Sequence, residues 1–173
     1  VNYREAYGIF ACNGILFNHE SPIRGETFVT KKIVQALIKI KKGTQNKLFL
    51  GNLYSKRDWG HARDYVEAMW KMMQQNKPDD YVIATGKTLT IKEFVNKTAK
   101  KIGFKLKWVG KGINEKAVNI ENKRSIIECK KRYFRPLEVD FLKGNAQRAK
   151  KLLKWAPKTS IDKLIDEMIK YET

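Results

Sequence analysis

Ile9-Phe10-Ala11-Cys12-Asn13-Gly14-Ile15-Leu16-Phe17 is a short apolar run, and Asn18-His19-Glu20-Ser21-Pro22-Ile23-Arg24-Gly25-Glu26 carries it directly into a helix-like pattern. The length and flanks of the run fit a buried strand, although Asn13-Gly14 also reads as a hairpin turn. Beyond the polar stretch, Phe28, Ile33, Ala36, Leu37 and Ile40 recur at helical spacing and stop at Gly43. Strand, polar loop and helix in that order form the unit from which α/β sheets are built. The loop crowds amide, imidazole, hydroxyl and guanidinium groups together, with Pro22 and Gly25 fixing its path. Loops held by a rigid scaffold are where binding chemistry concentrates.

The alternation continues outward from this stretch. Residues 1–7 read as the last turns of a helix closed by Gly8. Downstream, residues 47–50 read as a strand with a turn at Gly51-Asn52, and residues 61–75 as a helix with Ala62, Tyr65, Val66, Met69, Trp70 and Met73 at helical spacing. Residues 81–85 form a further expected strand. Thr90 with Glu93 three positions on makes a capping box for a helix over 91–102. Residues 105–109 alternate like a half-buried strand, and 110–124 are expected to be loop. Asn145 caps a helix to Leu153, and Ser160 caps the last one, over 161–171, with Pro157 between them. This order predicts an α/β fold.

At 173 residues the chain fits one domain, or one domain plus part of another. Its 42% hydrophobic and 11% aromatic content suffice for a core. No apolar run approaches the length of a membrane span. The first residues lack the order of a secretion signal and do not begin with Met, so the expectation is a chain that starts inside a longer reading frame or after processing. Two cysteines make neither a disulfide framework nor a metal site. Cys12 is expected to be a core thiol, and Cys129 precedes two lysines that could lower its pKa. Reduced thiols suit a cytoplasmic protein.

The formal net charge of +18 comes mostly from lysine. It raises the option of nucleic-acid binding through phosphate neutralisation. However, Lys39, Lys41, Lys42, Lys100, Lys101, Lys150 and Lys151 sit near predicted helix ends, where the helix dipole favours cations. No nucleic-acid motif is present, which weighs against that option.

Two more clusters repeat the polar theme of the first loop. In Arg57-Asp58-Trp59-Gly60-His61, the arginine suits bidentate grip on phosphate oxygens. The plainer reading makes Asp58 a helix cap and Arg57 an ordinary surface residue. In Arg132-Tyr133-Phe134-Arg135-Pro136-Leu137-Glu138, Arg135 could contact a diphosphate and Glu138 a ribose, or Pro136 and Glu138 could simply start a helix. His61 is expected to pack or cap, whereas His19 is the better site candidate. Neither has the partners a metal requires. Three basic-aromatic clusters suggest a site for an anion attached to a ring.

Taken together, residues 13–22, 57–66 and 132–140 resemble the GDP-mannose 4,6-dehydratase family of extended short-chain dehydrogenase/reductases, and residues 82–86 and 154–157 are similar to family patterns. The resemblance implies the C-terminal part of a Rossmann-type fold plus a smaller α/β substrate-binding domain. It implies an NADP-dependent conversion of GDP-mannose to its 4-keto-6-deoxy sugar, with hydride leaving C4 and returning at C6 and water lost across C5–C6. Carried over by position, His19 and Arg24 match cofactor-contacting residues. Asn18, Lys32, Arg57, Arg135 and Glu138 match the GDP-sugar side, with Arg57 and Arg135 on the diphosphate, Glu138 on ribose and Asn18 near the sugar phosphate.

The family's Gly-rich loop and its catalytic tyrosine, lysine, threonine and glutamate would all precede Val1. The expectation is therefore a chain with no catalytic residue of its own, inactive alone, poorly soluble in isolation, and a homodimer or homotetramer when full length. Ile23, Lys130-Lys131 and Asn145-Ala146 depart from the family pattern. The competing readings are a nucleotide-sugar epimerase or reductase, a basic module binding nucleic acid or a protein, and an inactive gene remnant.

Overall fold

The structure, a computed structural model, describes all of residues 1–173. In chain order its elements are α1 (Asn2–Tyr7), β1 (Asn13–Leu16), β2 (Asn18–Glu20), α2 (Val29–Lys41), β3 (Leu48–Leu50), β4 (Lys56–Arg57), β5 (Trp59–His61), α3 (Ala62–Met73), β6 (Asp80–Ile83), β7 (Leu89–Thr90), α4 (Ile91–Ile102), β8 (Leu106–Val109), β9 (Lys116–Asn119), β10 (Ser125–Cys129), α5 (Gln147–Leu152) and α6 (Ile161–Glu172). The expected α/β alternation is present. The chain divides into two compact units, one of residues 1–21, 58–88 and 142–164, the other of residues 22–57, 89–141 and 165–173. No helix is long and apolar enough to cross a membrane.

In the first unit β1 pairs with β6 in parallel, Asn13 opposite Asp80 and Leu16 opposite Ile83. Asn13-Gly14 lies inside the strand rather than at a hairpin turn. The strand is also shorter than the apolar run that predicts it. Asp80 accepts from the Asn13 side chain at 2.8 Å and from both guanidinium nitrogens of Arg4, so the carboxylate ends the ladder there. Arg4, with Asn13, holds the Asp80 carboxyl well below its usual pKa. A second parallel pair, β2 with β5, sets Asn18 opposite Trp59 and Glu20 opposite His61. Part of the expected polar loop is therefore strand.

The core of this unit gathers Tyr65, Ala68 and Met72 of α3, Tyr81 and Ile83 of β6, and Ala149, Leu153 and Trp155. The Trp155 indole N–H donates to the Asp64 carbonyl at 2.7 Å, so its apolar body is buried without leaving a polar atom unmatched. Asp64 in turn accepts from the backbone N–H groups of Lys158 and Thr159. Asn145, the expected cap, accepts at Oδ1 from the Gln147 N–H but stands one position before Ala146, where α5 is capped, and Ser160 Oγ accepts from Lys163 as expected.

The second unit is built on a mixed sheet ordered β3-β10-β9-β8. β3 runs parallel to β10, and β10-β9-β8 form an antiparallel meander. α2 and α4 pack against each other with Ile33, Val34, Leu37, Phe94, Val95 and Ala99 buried. The Thr90 and Glu93 capping box forms in full. Residues 110–124 hold the whole of β9 and its connections, which corrects the expected loop. In β9 the exposed Lys116 and half-buried Val118 alternate with Ala117 and Asn119, both buried, so one face is covered although the surrounding composition is polar. Cys129 is buried in β10, and burial pushes its thiol pKa up, the reverse of the expected activation by lysine. Cys12 is partly buried against the first unit's core.

Candidate functional site

Arg57 closes β4, which is held antiparallel to β7. Its guanidinium donates to the carbonyls of Lys56 at 2.9 Å and Val139 at 2.6 Å, and it is ion-paired with Glu138. The side chain is mostly buried, so these bonds satisfy a charge that meets little water. Arg57 therefore anchors the 132–140 segment as well as facing it. The other carboxylate oxygen of Glu138 lies 3.8 Å from Arg135. The Arg135 side chain is 80% exposed and is the cation of this group most available to an incoming anion.

The backbone of this segment is laced to the end of β3. Lys130 N–H donates to Leu50 O at 2.9 Å, Arg135 N–H donates to Asn52 Oδ1 at 3.0 Å, and Tyr133 O crosses directly over Gly51. A Cβ at residue 51 would stand 1.9 Å from that oxygen, so only glycine admits the crossing. Gly51-Asn52 is thus a crossing point and not merely a turn.

Lys32, on α2, donates to Phe49 O at 2.7 Å and stands 3.9 Å over the Tyr133 ring. Burial, with a smaller contribution from Arg132, lowers its pKa. A cleft of about 250 Å³ opens beside it, lined by Glu26, Gln35, Lys39, Phe49 and Tyr133 among others. Lys32, Arg57, Arg135 and Glu138, far apart in sequence, are therefore joined within one unit by contacts through Tyr133, Gly51 and Asn52. Such an array of cations and one carboxylate around an aromatic ring can take a phosphorylated, hydroxyl-bearing ligand. Arg24, in the same unit, lies over Phe28, with its carbon 3.4 Å from the ring centre.

The remaining candidates belong to the first unit. Asn18 and His19 stand on β2. His19 Nδ1 lies 3.0 Å from Phe17 O, and its ring is tilted over Tyr65 at 5.2 Å. A carbonyl only accepts, so Nδ1 carries hydrogen in that bond and Nε2 is directed elsewhere. His61 does the opposite: its Nδ1 accepts from Arg63 N–H as the cap of α3, as a helix-opening histidine should. Asp58, a helix cap in the plainer reading, is instead fully buried and accepts from Thr85 N at 2.9 Å, Thr85 Oγ1 at 2.6 Å, Gly86 N at 2.9 Å and Gly144 N at 3.2 Å.

Sequence reasoning passed over Gly51, Asn52 and Tyr133 as site builders. The usable signal was the Gly-Asn pair directly after a strand. The Lys32 contact with Tyr133 had none, since it joins residues a hundred positions apart.

A family model described as GDP-mannose 4,6 dehydratase matches residues 1–168. A GDP-mannose 4,6 dehydratase of Dictyostelium discoideum is 54% identical over 169 residues, 98% of this chain and 48% of its own length. GDP-mannose 4,6 dehydratase 1 of Arabidopsis thaliana is 55% identical over 98% of this chain and 42% of its own. Among solved structures, RMD from Pseudomonas aeruginosa complexed with NADPH superposes with a TM-score of 0.78 at 18% identity, covering 99% of this chain and 51% of that one. dTDP-glucose 4,6-dehydratase from Bacillus anthracis in complex with NAD gives 0.75 at 18% identity, covering 98% and 47%. The fold is thus that of the extended short-chain dehydrogenase/reductases, and the chain spans about half the length of the curated relatives it matches. With more than half of its residues identical to these relatives and nearly all of them within the family model, the chain belongs to the GDP-mannose 4,6-dehydratase family.

Proposed function

We propose that this chain supplies the GDP-sugar side of a GDP-mannose 4,6-dehydratase. The observation that carries the reading is the gathering of Arg57, Glu138, Arg135 and Lys32 within one unit of a chain of this family. In this reading Arg135 meets the diphosphate, and Arg57 supports it while fixing Glu138. Glu138 keeps lone pairs for ribose hydroxyls, since a carboxylate has about four acceptor positions. Lys32 adds a cation beside the Tyr133 ring, and Asn18 serves the sugar-phosphate region. The second unit is then the substrate-binding domain, and the first holds the last strands of the dinucleotide-binding one.

The cofactor assigned is NADP, held in part by His19 and Arg24. Their chemistry fits, because an arginine braced on an aromatic ring and a histidine whose Nδ1 is fixed on a carbonyl both suit a phosphorylated nucleotide. The chemistry the bound cofactor supplies is acceptance of hydride from sugar C4 and its return at C6. We assign a cytoplasmic location and a dimeric or tetrameric whole protein on the same family ground. An epimerase or a generic polyanion-binding module is less well supported by a chain matched so fully to dehydratases.

Calorimetric titration with GDP-mannose tests the reading, with UDP-glucose and a DNA duplex as controls. GDP-mannose is expected to bind, with little response to the controls. Arg135→Ala should weaken it by about tenfold to hundredfold, the range of one or two charge-assisted hydrogen bonds. The circular dichroism should stay unchanged, because the side chain is exposed. Equal affinity in Arg135→Ala would remove Arg135 from the site.

The titration of Lys32 gives a second check. Burial disfavours its charged form, so the free protein loses this proton below the ordinary lysine value of 10.5. A bound diphosphate restores the proton, so affinity should fall as pH rises through the lowered pKa. Lys32→Arg, which stays protonated, should flatten that fall. A wild-type profile matching that of Lys32→Arg would exclude Lys32 from ligand contact.

A further inference from the structure

Glu115 follows the turn between β8 and β9, and only 3% of the residue is exposed. Its Oε1 accepts from Lys92 Nζ at 2.6 Å and from the Tyr54 hydroxyl at 3.0 Å, whereas Oε2 is buried with no hydrogen-bond partner. A buried carboxylate with one oxygen unmatched costs stability, so the contacts of Oε1 must offset that cost. Lys92 is equally out of place by local rules. It stands in the first turn of α4, where the helix dipole disfavours a cation, and its Nζ lies 4.8 Å from the Trp108 ring centre and 5.2 Å from that of Tyr54.

Both walls of the cation array lead back to Glu115. One wall is the 51–57 segment, with Asn52 near one end, Arg57 at the other and Tyr54 between them. The N–H groups of Ile91 and Lys92, which open α4, donate to Ser55 O at 3.3 Å and Leu53 O at 2.9 Å. The helix start that carries Lys92 thus holds the backbone on either side of Tyr54. The other wall is the 130–140 segment. It leaves β10 at Cys129, whose N–H donates to Glu115 O at 3.2 Å. The side chain of Glu115 therefore fixes one wall and its backbone carbonyl the other. The turn that delivers it is tight, since a Cβ at Gly110 would stand 2.4 Å from Asn114 O. Two hydrogen bonds join the walls directly, Lys56 N–H to Asp140 O at 2.7 Å and Arg135 N–H to Asn52 Oδ1 at 3.0 Å.

We infer that Glu115 is a positioning residue: through Tyr54 on one side and Cys129 on the other, it sets the register of the walls that carry Arg57, Arg135 and Glu138. Its consequence for the ligand rests on the GDP-mannose reading above, whereas the register itself does not.

The test pairs the GDP-mannose titration with hydrogen exchange of the ligand-free chain, read at the amides of Lys56 and Arg135. Glu115→Ala should weaken binding about tenfold and speed exchange at both amides, while Leu37 and Ile38 in α2 keep their protection. Glu115→Gln keeps an acceptor for Tyr54 and Lys92 and should recover most of both losses. Arg135→Ala should cost less affinity in the Glu115→Ala background than in the wild type, which a general loss of stability would not produce. Tyr54→Phe removes one hydroxyl from an exposed side chain, so it keeps the inference testable even where Glu115→Ala does not fold. It should give a milder form of the same result, about threefold in affinity. Unchanged exchange at Lys56 and Arg135 in these variants, or fully multiplicative losses from Glu115→Ala and Arg135→Ala, would overturn the inference. A wild type that takes up no GDP-mannose would overturn the functional reading instead, and faster exchange in the variants would still uphold the register.

Discussion

Replacing Asp58 by alanine is expected to destabilise the first unit severely. One fully buried carboxylate accepts three backbone N–H groups and one hydroxyl there, at 2.6–3.2 Å. A buried donor stripped of its acceptor costs about 1–3 kcal/mol. Even with partial relaxation the loss should reach about 4 kcal/mol, against a typical domain stability of about 5–15 kcal/mol. Asp58→Asn should be milder, at about 2–3 kcal/mol. Its amide oxygen can keep the Thr85 pair, but its NH₂ would face the N–H groups of Gly86 and Gly144. Urea unfolding monitored by tryptophan fluorescence measures both variants. A midpoint unchanged in Asp58→Ala would mean that the four donors find other acceptors, and that Asp58 is not the tie described here.

The second large effect is expected from Gly51→Ala, and it should fall on binding rather than stability. A Cβ placed 1.9 Å from Tyr133 O forces the 131–138 segment off β3, because the obstacle is backbone and cannot rotate away. Residues 134–137 are exposed, so the displaced segment gives up little buried surface and the sheet beneath should hold. Arg135 would lose its backbone bond to Asn52, Glu138 its register with Arg57, and Lys32 its aromatic support. GDP-mannose affinity should drop by about a hundredfold, equivalent to about 2.7 kcal/mol. Asn52→Ala, which removes only the side-chain tie, should cost far less. The same calorimetric titration decides, and wild-type affinity in Gly51→Ala would show that the crossing does not set the site.

Much of the fold could be read from the order of residues because its helices are locally encoded. α2, α3 and α4 each carry a clear apolar stripe, and two of the three begin at a residue whose side chain caps them. The strands were harder to read, for a physical reason. β2 is Asn-His-Glu and β9 is Lys-Ala-Val-Asn, and both are strands because a neighbour pairs with them, not because their composition demands it. Candidate site residues stood out where a polar cluster interrupted an apolar pattern, as at Arg57 and Arg135. Gly51 and Tyr133 did not, since their roles arise only when segments about eighty residues apart are brought together. The tie made by Asp58 was not legible, because a cap, its plainer reading, and a tertiary tie use the same side chain.

Arg57 and Asp58 share a peptide bond, yet they brace different bodies. Arg57 fastens the 132–140 segment of the second unit, and Asp58 fastens residues 85, 86 and 144 of the first. Damage to adjacent codons should therefore surface as unlike phenotypes, lost ligand capture at one and lost protein at the other. For a lineage under drift, neither position can compensate for the other, so the Arg-Asp dipeptide must be inherited as two separate obligations that happen to be neighbours.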